Sequence, residues 1–270
     1  TIYKDKRQGG YFYTVASSTA FPPSPSPAPE PSIWSCAPER HAFVDTPEFY
    51  QRIIGRDPPI DDATCFKIAT GMEWETLITC SDGSFDPVRQ SGSHGWILAN
   101  KDEETLAQGA GPADGNPLLM SSYRTELGGL LAILYTIFRI CQHYQVTSGK
   151  VSYYCDNKGV LSNVFTHRTP TITQFLHTDS DLVMEARHLL TLIPVTIVAG
   201  WVKGHYSGEY REFKHDLNDK VDRLADRFNK NPDPGFTPKR MPCPAPAYVR
   251  LLYDNSVLTT KLYKTMSSEL

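Results

Sequence analysis

Four acids stand where a carboxylate is costly to hold without a partner. Asp82 follows the β-branched and apolar run Thr76–Cys80, which suits a central strand, and Asp156 follows a second such run, Val151–Cys155. Glu126 lies beside Leu127 near the start of a long apolar-periodic stretch, and Asp222 is flanked by Val221 and Leu224 in another. If the two runs are neighbouring parallel strands, Asp82 and Asp156 emerge side by side at the C-terminal edge, where open α/β sheets bind ligands. Crowded carboxylates repel and raise one another's pKa unless a divalent cation neutralises them. Oxygen-only donors suit magnesium or manganese. Two such ions about 4 Å apart cut phosphodiesters, one activating water and the other stabilising the leaving oxygen.

Each acid also has a simpler explanation. Asp82-Gly83 is a common hairpin signal. Glu126 can be a first-turn acid favoured by the helix dipole, worth about 0.3–1 kcal/mol. Asp222 can be a solvated acid paired with Arg223 or Arg227. The same duality holds around them. Gly83 lets backbone or substrate come close, and Ser84 follows it on the substrate side. Asn157 can reach a substrate backbone or cap the next helix. Lys203, Arg124 and Lys158 are candidate phosphate contacts on charge alone. His205 follows Trp201-Val202-Lys203-Gly204, where an exposed loop histidine is the simpler explanation. No Gly-rich loop of the G-x-x-x-x-G-K-S type is present, which argues against a nucleoside triphosphatase.

The elements that must position these residues become regular from about residue 76. A first strand is predicted over 76–83, and a hairpin-like pair over 95–100 and 104–109 around Lys101-Asp102-Glu103. Ala110–Pro117 is a Gly/Pro-rich connection. A helix is predicted over 122–144, with Leu127, Leu130, Leu131, Leu134, Ile137, Phe138 and Cys141 at three-and-four spacing. A strand over 151–156, short helices over 157–165 and 181–192, a strand over 194–202 and a helix over 217–228 follow. That order gives an α/β sheet, partly parallel and partly antiparallel.

Residues 1–70 read as a poorly ordered extension: 22–32 is a Pro-rich linker, Pro58 and Pro59 interrupt the text, and only Glu48–Ile54 suggests a short helix. The central domain is expected over 71–230. Residues 231–270 read as a second Pro-rich linker and a β-hairpin-like tail around Asp254-Asn255-Ser256. Thr rather than Met at position 1 points to a piece of a longer chain. The net charge of -3 argues against a strongly basic nucleic-acid coat but leaves room for a local basic groove. Cys36, Cys65, Cys80, Cys141, Cys155 and Cys243 form no C-x-x-C pair and read as reduced core residues of an intracellular protein, cytoplasmic or nuclear. No apolar run approaches the roughly 18 residues of a membrane span, and no signal peptide is visible.

Five short motifs then stand in the order of ribonuclease H: Ser81-Asp82-Gly83-Ser84, Tyr123-Arg124-Thr125-Glu126-Leu127, Tyr154-Cys155-Asp156-Asn157, Trp201–His205, and Asn218–Ala225. Over about residues 76–229 the chain resembles that family, and most of all the ribonuclease H domains that follow reverse transcriptase in retrotransposon polyproteins. The resemblance implies a five-stranded mixed sheet flanked by helices. It implies hydrolysis within the RNA strand of RNA–DNA hybrids, with two magnesium ions, or manganese, held by Asp82, Glu126, Asp156 and Asp222. His205 matches the mobile-loop histidine that helps product leave or shuttles a proton. The hybrid and the reverse transcriptase portion of the polyprotein are the implied partners. The 17 positions from His205 to Asp222 exceed the spacing of compact cellular members, so Asp216 and Asp219 compete for the fourth acidic place. Asp222 is preferred because Asn218, Asp222, Leu224 and Ala225 match the family's last helix. Ser121, Ser122 and Tyr123 replace the amides that cellular members carry there, which implies altered discrimination of 2′-hydroxyls. A hybrid-binding remnant without turnover, or a transposase or integrase of the same superfold, are the competing functions.

Overall fold

The computed structural model describes residues 41–55, 60–166 and 179–231, positions 239, 241, 243 and 244, and four short strands nearer the ends. The chain divides into two compact units, Thr1–Arg40 and His41–Leu270. In the first, Ile2–Lys4 pairs antiparallel with Tyr11–Tyr13. The Pro-rich stretch 22–32 lies outside the described residues. In the second unit, Leu252–Tyr253 pairs antiparallel with Ser256–Val257. The rest of that tail also lies outside the described residues.

The larger unit is built on a mixed five-stranded sheet. Its strands are β1 (Leu77–Asp86), β2 (Ser91–Ala99), β3 (Thr105–Pro112), β4 (Lys150–Cys155) and β5 (Thr196–Trp201), in the spatial order β3-β2-β1-β4-β5. β1, β2 and β3 form an antiparallel meander, while β4 runs parallel to both β1 and β5. β1 extends past the acid that ends its apolar run: Asp82 pairs with Gly95 in mid-strand, and the turn comes only after Asp86. The hairpin-turn alternative for Asp82-Gly83 is thereby overturned. A buried β-branched and apolar stretch upstream fixes the register, and a one-residue slip would expose it.

α3 (Ser122–Tyr144) is the central helix. Ser121 caps it by accepting the Arg124 N–H at 3.0 Å, and its apolar positions are almost wholly buried against β1, β2 and the neighbouring helices. Burying each such leucine contributes roughly 1.5–3 kcal/mol. α4 (Lys158–Val164) and α5 (Ser180–Leu192) complete this face. α6 (Phe213–Lys230) covers the opposite face, with Leu217 and Val221 packed on Cys80, Ile97 and Ala99.

Two further helices correct the expected domain boundary. α1 (Glu48–Ile54) and α2 (Asp62–Glu73) belong to the compact unit, which begins at His41 rather than at residue 71. Phe49, Tyr50, Ile53, Cys65, Ile68 and Met72 all enter the main core. Pro58 and Pro59, which read as breakers, lie outside the described residues. Pro47 stands at the N-cap of α1, where no amide hydrogen is required. The end of α1 is satisfied by the sheet: His94 Nε2 reaches the Ile53 carbonyl at 2.7 Å, and Trp96 Nε1–H donates to the Ile54 carbonyl at 2.9 Å. Burial pushes the His94 pKa down to about 4, so the ring is neutral and donates through Nε2. A buried ion pair adds a second tie, with Arg52 Nε and Nη2 donating to Asp114 Oδ2 and Oδ1 at 2.6 and 2.7 Å.

Among the described residues, Cys65, Cys80, Cys141, Cys155 and Cys243 are buried and form no disulfide with one another. No described helix is long and apolar enough to cross a membrane.

A chain beginning at His41 is expected to melt cooperatively. One beginning at Trp74, which leaves His94, Trp96 and Asp114 without their partners and uncovers α3, is expected to lose its cooperative transition. Circular dichroism melting of the two fragments checks this.

Candidate functional site

β1 carries Asp82 and β4 delivers Asp156 one residue past its last strand position. α3 brings Glu126 to them. The approach is close because Gly83 has no side chain: a Cβ there would lie 2.2 Å from Thr125 Oγ1 and 2.7 Å from the Glu126 nitrogen. What comes near Gly83 is therefore the start of α3. α3 starts at Ser122, so Glu126 falls in its second turn, beyond the first-turn position at which the helix dipole alone would favour an acid.

The three carboxylates each offer an oxygen within 4.8 Å of the others. Asp82 and Glu126 are buried and Asp156 is half-buried. Gly83 N–H donates to Asp82 Oδ1 at 2.7 Å. Glu126 Oε2 is buried with no hydrogen-bond partner among the described residues. The electrostatics follow from this crowding. Burial first, and the Asp156 charge second, push the Asp82 pKa up to about 7. Burial and the Asp82 and Asp156 charges raise Glu126 well above the usual carboxylate range, with the Asn157 side chain opposing the rise. Asp156 is raised by burial, with His205 opposing and Asp222 adding to the rise. A desolvated set of hard oxygen donors with one orphaned oxygen fits a hard divalent cation such as magnesium.

Asp222 stands on α6, outside the three-acid cluster but near enough for its charge to raise both Asp82 and Asp156. Its Oδ2 lies 3.9 Å from His205 Nδ1. Its competitors are engaged elsewhere, since Arg211 pairs with both Asp216 and Asp219. His205 is exposed, in a left-handed conformation at φ 47°. Gly204 before it lies directly over the cluster, and a Cβ there would meet Asp156 Oδ2 at 2.3 Å. The loop Lys203–His205 is thus laid against the third acid, with Lys203 exposed.

Several substrate-contact expectations resolve into structural roles. Arg124 is buried in an ion-pair network. Its Nε donates to the Asp114 carbonyl at 2.7 Å, and its Nη atoms bond Asp179 at 3.0 Å and Asp181 at 3.1 Å. It points into the domain between α3 and α5, with its donors taken by these acids and the Asp114 carbonyl. Ser84 Oγ donates to Asp226 Oδ1 at 3.1 Å and accepts from Asn229 Nδ2 at 3.3 Å, which ties β1 to α6. Asn157 caps α4 by accepting the Gly159 and Val160 N–H groups at 2.9 and 3.2 Å. Lys158 Nζ sits 4.5 Å above the Trp201 ring, whose Nε1–H donates to the Asp156 carbonyl at 2.9 Å. Trp201, not singled out as a site residue from the sequence, therefore braces the backbone of the third acid. Its place at the head of the Trp201–His205 motif was the available signal.

No protein-family model matches the chain, and no curated protein matches it. Solved structures with a similar arrangement are ribonucleases H. One is the N-terminal ribonuclease H domain of a Mycobacterium tuberculosis protein, fused to maltose-binding protein. It is 17% identical over 57% of this chain and 93% of that one, with a TM-score of 0.41. Another is ribonuclease H1 of the halophilic archaeon Halobacterium salinarum, 17% identical over 56% and 95%, with a TM-score of 0.39. A third is the LC11 ribonuclease H1 in complex with an RNA/DNA hybrid, 10% identical over 57% and 96%, with a TM-score of 0.40.

Two outcomes follow from the site. Because the folded-state pKa of Asp82 is raised from 3.8 to about 7, the folded protein binds more protons than the unfolded chain between those values. Its contribution to stability is therefore lost as pH rises through that window. In EDTA the melting temperature is expected to fall between pH 5 and pH 8, and Asp82→Asn to flatten that fall. Arg124→Met, by stranding Asp179 and Asp181, is expected to cost about 3–5 kcal/mol in urea unfolding. A phosphate contact would instead leave stability unchanged.

Proposed function

We propose that the chain is a metal-dependent endonuclease that hydrolyses the RNA strand of RNA–DNA hybrids, in the manner of ribonuclease H. The observation that carries this is the meeting of Asp82, Glu126 and Asp156 from three separate elements within 4.8 Å, with a buried Glu126 oxygen left unpaired. Structural carboxylates are normally paired with a base or hydrogen-bonded, as Asp114 and Asp179 are here. A triad of acids held together against its own repulsion needs a cation.

Asp82, Glu126 and Asp156, joined by Asp222, would hold two magnesium ions, with manganese as a substitute. Bound there, the ions supply Lewis acidity toward a phosphodiester and an acidified water for its hydrolysis. The chain's own groups do the rest. The Asp82 amide neighbour and the Trp201 indole fix the acids in place. His205, exposed and beside Asp222, relays a proton or assists product departure. Lys203 draws phosphate toward the loop. Asn157 keeps its amide beside Glu126 while its oxygen caps α4. The order of the five motifs supports a place next to reverse transcriptase in a retroelement polyprotein, and that portion is the proposed partner. The buried thiols of Cys65, Cys80, Cys141 and Cys155, each outside any disulfide among the described residues, support a reducing intracellular compartment.

Cleavage of a labelled RNA–DNA hybrid in magnesium tests the proposal. The wild-type chain is expected to cut the RNA internally, and Asp156→Asn to lower the rate at least about 10²-fold without lowering the melting temperature in EDTA. Hybrid retained uncut in both magnesium and manganese would replace this activity with a binding function. Strand transfer of a DNA end would point to a transposase or integrase.

A further inference from the structure

Between β5 and α6 the chain passes beside Asp156 at Gly204, and this loop carries His205 near its start. A free loop of this length would spread His205 over many positions, since each unfixed residue adds conformational freedom. Instead the far end of the loop is fastened to the first two turns of α6. Arg211 pairs with Asp216 and with Asp219, one helical turn apart, and its Nη1 also donates to the Tyr206 carbonyl at 3.0 Å. The Tyr206 ring, next to His205 in sequence, stacks on His215 with centroids 4.1 Å apart and planes 19° from parallel. His215 in turn accepts the Glu212 N–H at 3.0 Å, closing a capping box with Glu212 at the start of α6. One guanidinium thus joins the residue after His205 to the helix that carries Asp222.

We infer that Arg211 is a positioning residue for His205, holding the imidazole at its place 3.9 Å from Asp222 by clasping the Tyr206 backbone to Asp216 and Asp219 on α6. The inference rests on the proposed nuclease activity for its meaning, while the clasp itself is independent of it. A planar fork with several fixed donors is needed, because a lysine presents a single point charge and cannot serve both aspartates and the carbonyl together. The long spacing from His205 to Asp222 follows from it. The extra residues are those that bring Arg211 back to α6, and Asp216 and Asp219 serve the loop rather than the cation set.

Two measurements on the full chain test this. Amide hydrogen exchange over residues 204–212 is expected to quicken about tenfold or more in Arg211→Gln and in Asp216→Asn/Asp219→Asn, and to stay unchanged in the distant control Lys230→Gln. Unchanged exchange in both clasp variants would overturn the clasp whether or not the chain cleaves hybrid. In hybrid cleavage, Arg211→Gln and His205→Ala are each expected to lower kcat about tenfold with KM nearly unchanged. Arg211→Lys is expected to recover only part of the loss. The Arg211→Gln/His205→Ala double variant is expected to be no slower than His205→Ala alone. Losses that multiply, or wild-type kcat in Arg211→Gln, would overturn the positioning role. Absence of cleavage by the wild-type chain would sink the nuclease proposal and leave the exchange result to decide the clasp.

Discussion

The contact between the start of α3 and β1 at Gly83 is the constraint on which the rest depends. It brings a helix backbone so near a strand that no side chain fits between them, and in doing so sets the Glu126 carboxylate beside Asp82. The molecule accepts the resulting repulsion because both surfaces are held from behind. α3 is pressed down by a continuous apolar face, and β1 is paired on both sides, with β2 and β4. A core at native density yields little to local strain, so the acids cannot drift apart to relieve their charge.

The surrounding salt bridges serve the same end by different means. Arg52, Asp114, Arg124, Asp179 and Asp181 form a buried lattice that joins α1, the approach to α3 and the start of α5. The Asp114 carboxylate also accepts the Lys239 N–H at 2.8 Å, drawing a distant piece of chain onto it. Such pairs gain little over apolar substitutes, but each is costly to break singly. They fix the direction in which α3 enters, and that direction decides where Glu126 lies. Those five charges are paired with opposite ones, whereas Asp82, Glu126 and Asp156 crowd together without an ion pair among the described residues.

Much of this was legible in the residue pattern. The bounds of α3, α4 and α5, and the existence of all five strands, follow from apolar periodicity, because these elements bury one face and expose little else. Asp82, Glu126 and Asp156 could be singled out because an acid inside an apolar context is expensive. The failures have a common physical origin in tertiary partners. The pattern misses α2, and it sets α1, legible as a short helix, outside the domain although a histidine and a tryptophan on β2, about 40 residues away in sequence, hold its C-terminal end. Arg124 looked like a phosphate ligand because its three acidic or carbonyl partners are distant in the chain. Ser84 reads as lying on the substrate side, and its bonding partners lie on α6. Asp82 was placed at a strand end because hydrophobicity stops there, although backbone pairing with β2 carries the strand on to Asp86.

The buried thiols lend the molecule an internal clock. Cys65 lies on α2, Cys80 on β1, Cys141 on α3, Cys155 on β4, and Cys243 beyond α6 in the later proline-rich stretch. Burial holds the Cys65, Cys141 and Cys155 thiols at about pH 12 for ionisation, so none reacts while its surroundings stay closed. Each therefore becomes modifiable only when its own element opens. The sequence in which they succumb to an alkylating reagent would chart how the native state comes apart, layer by layer, without any added probe.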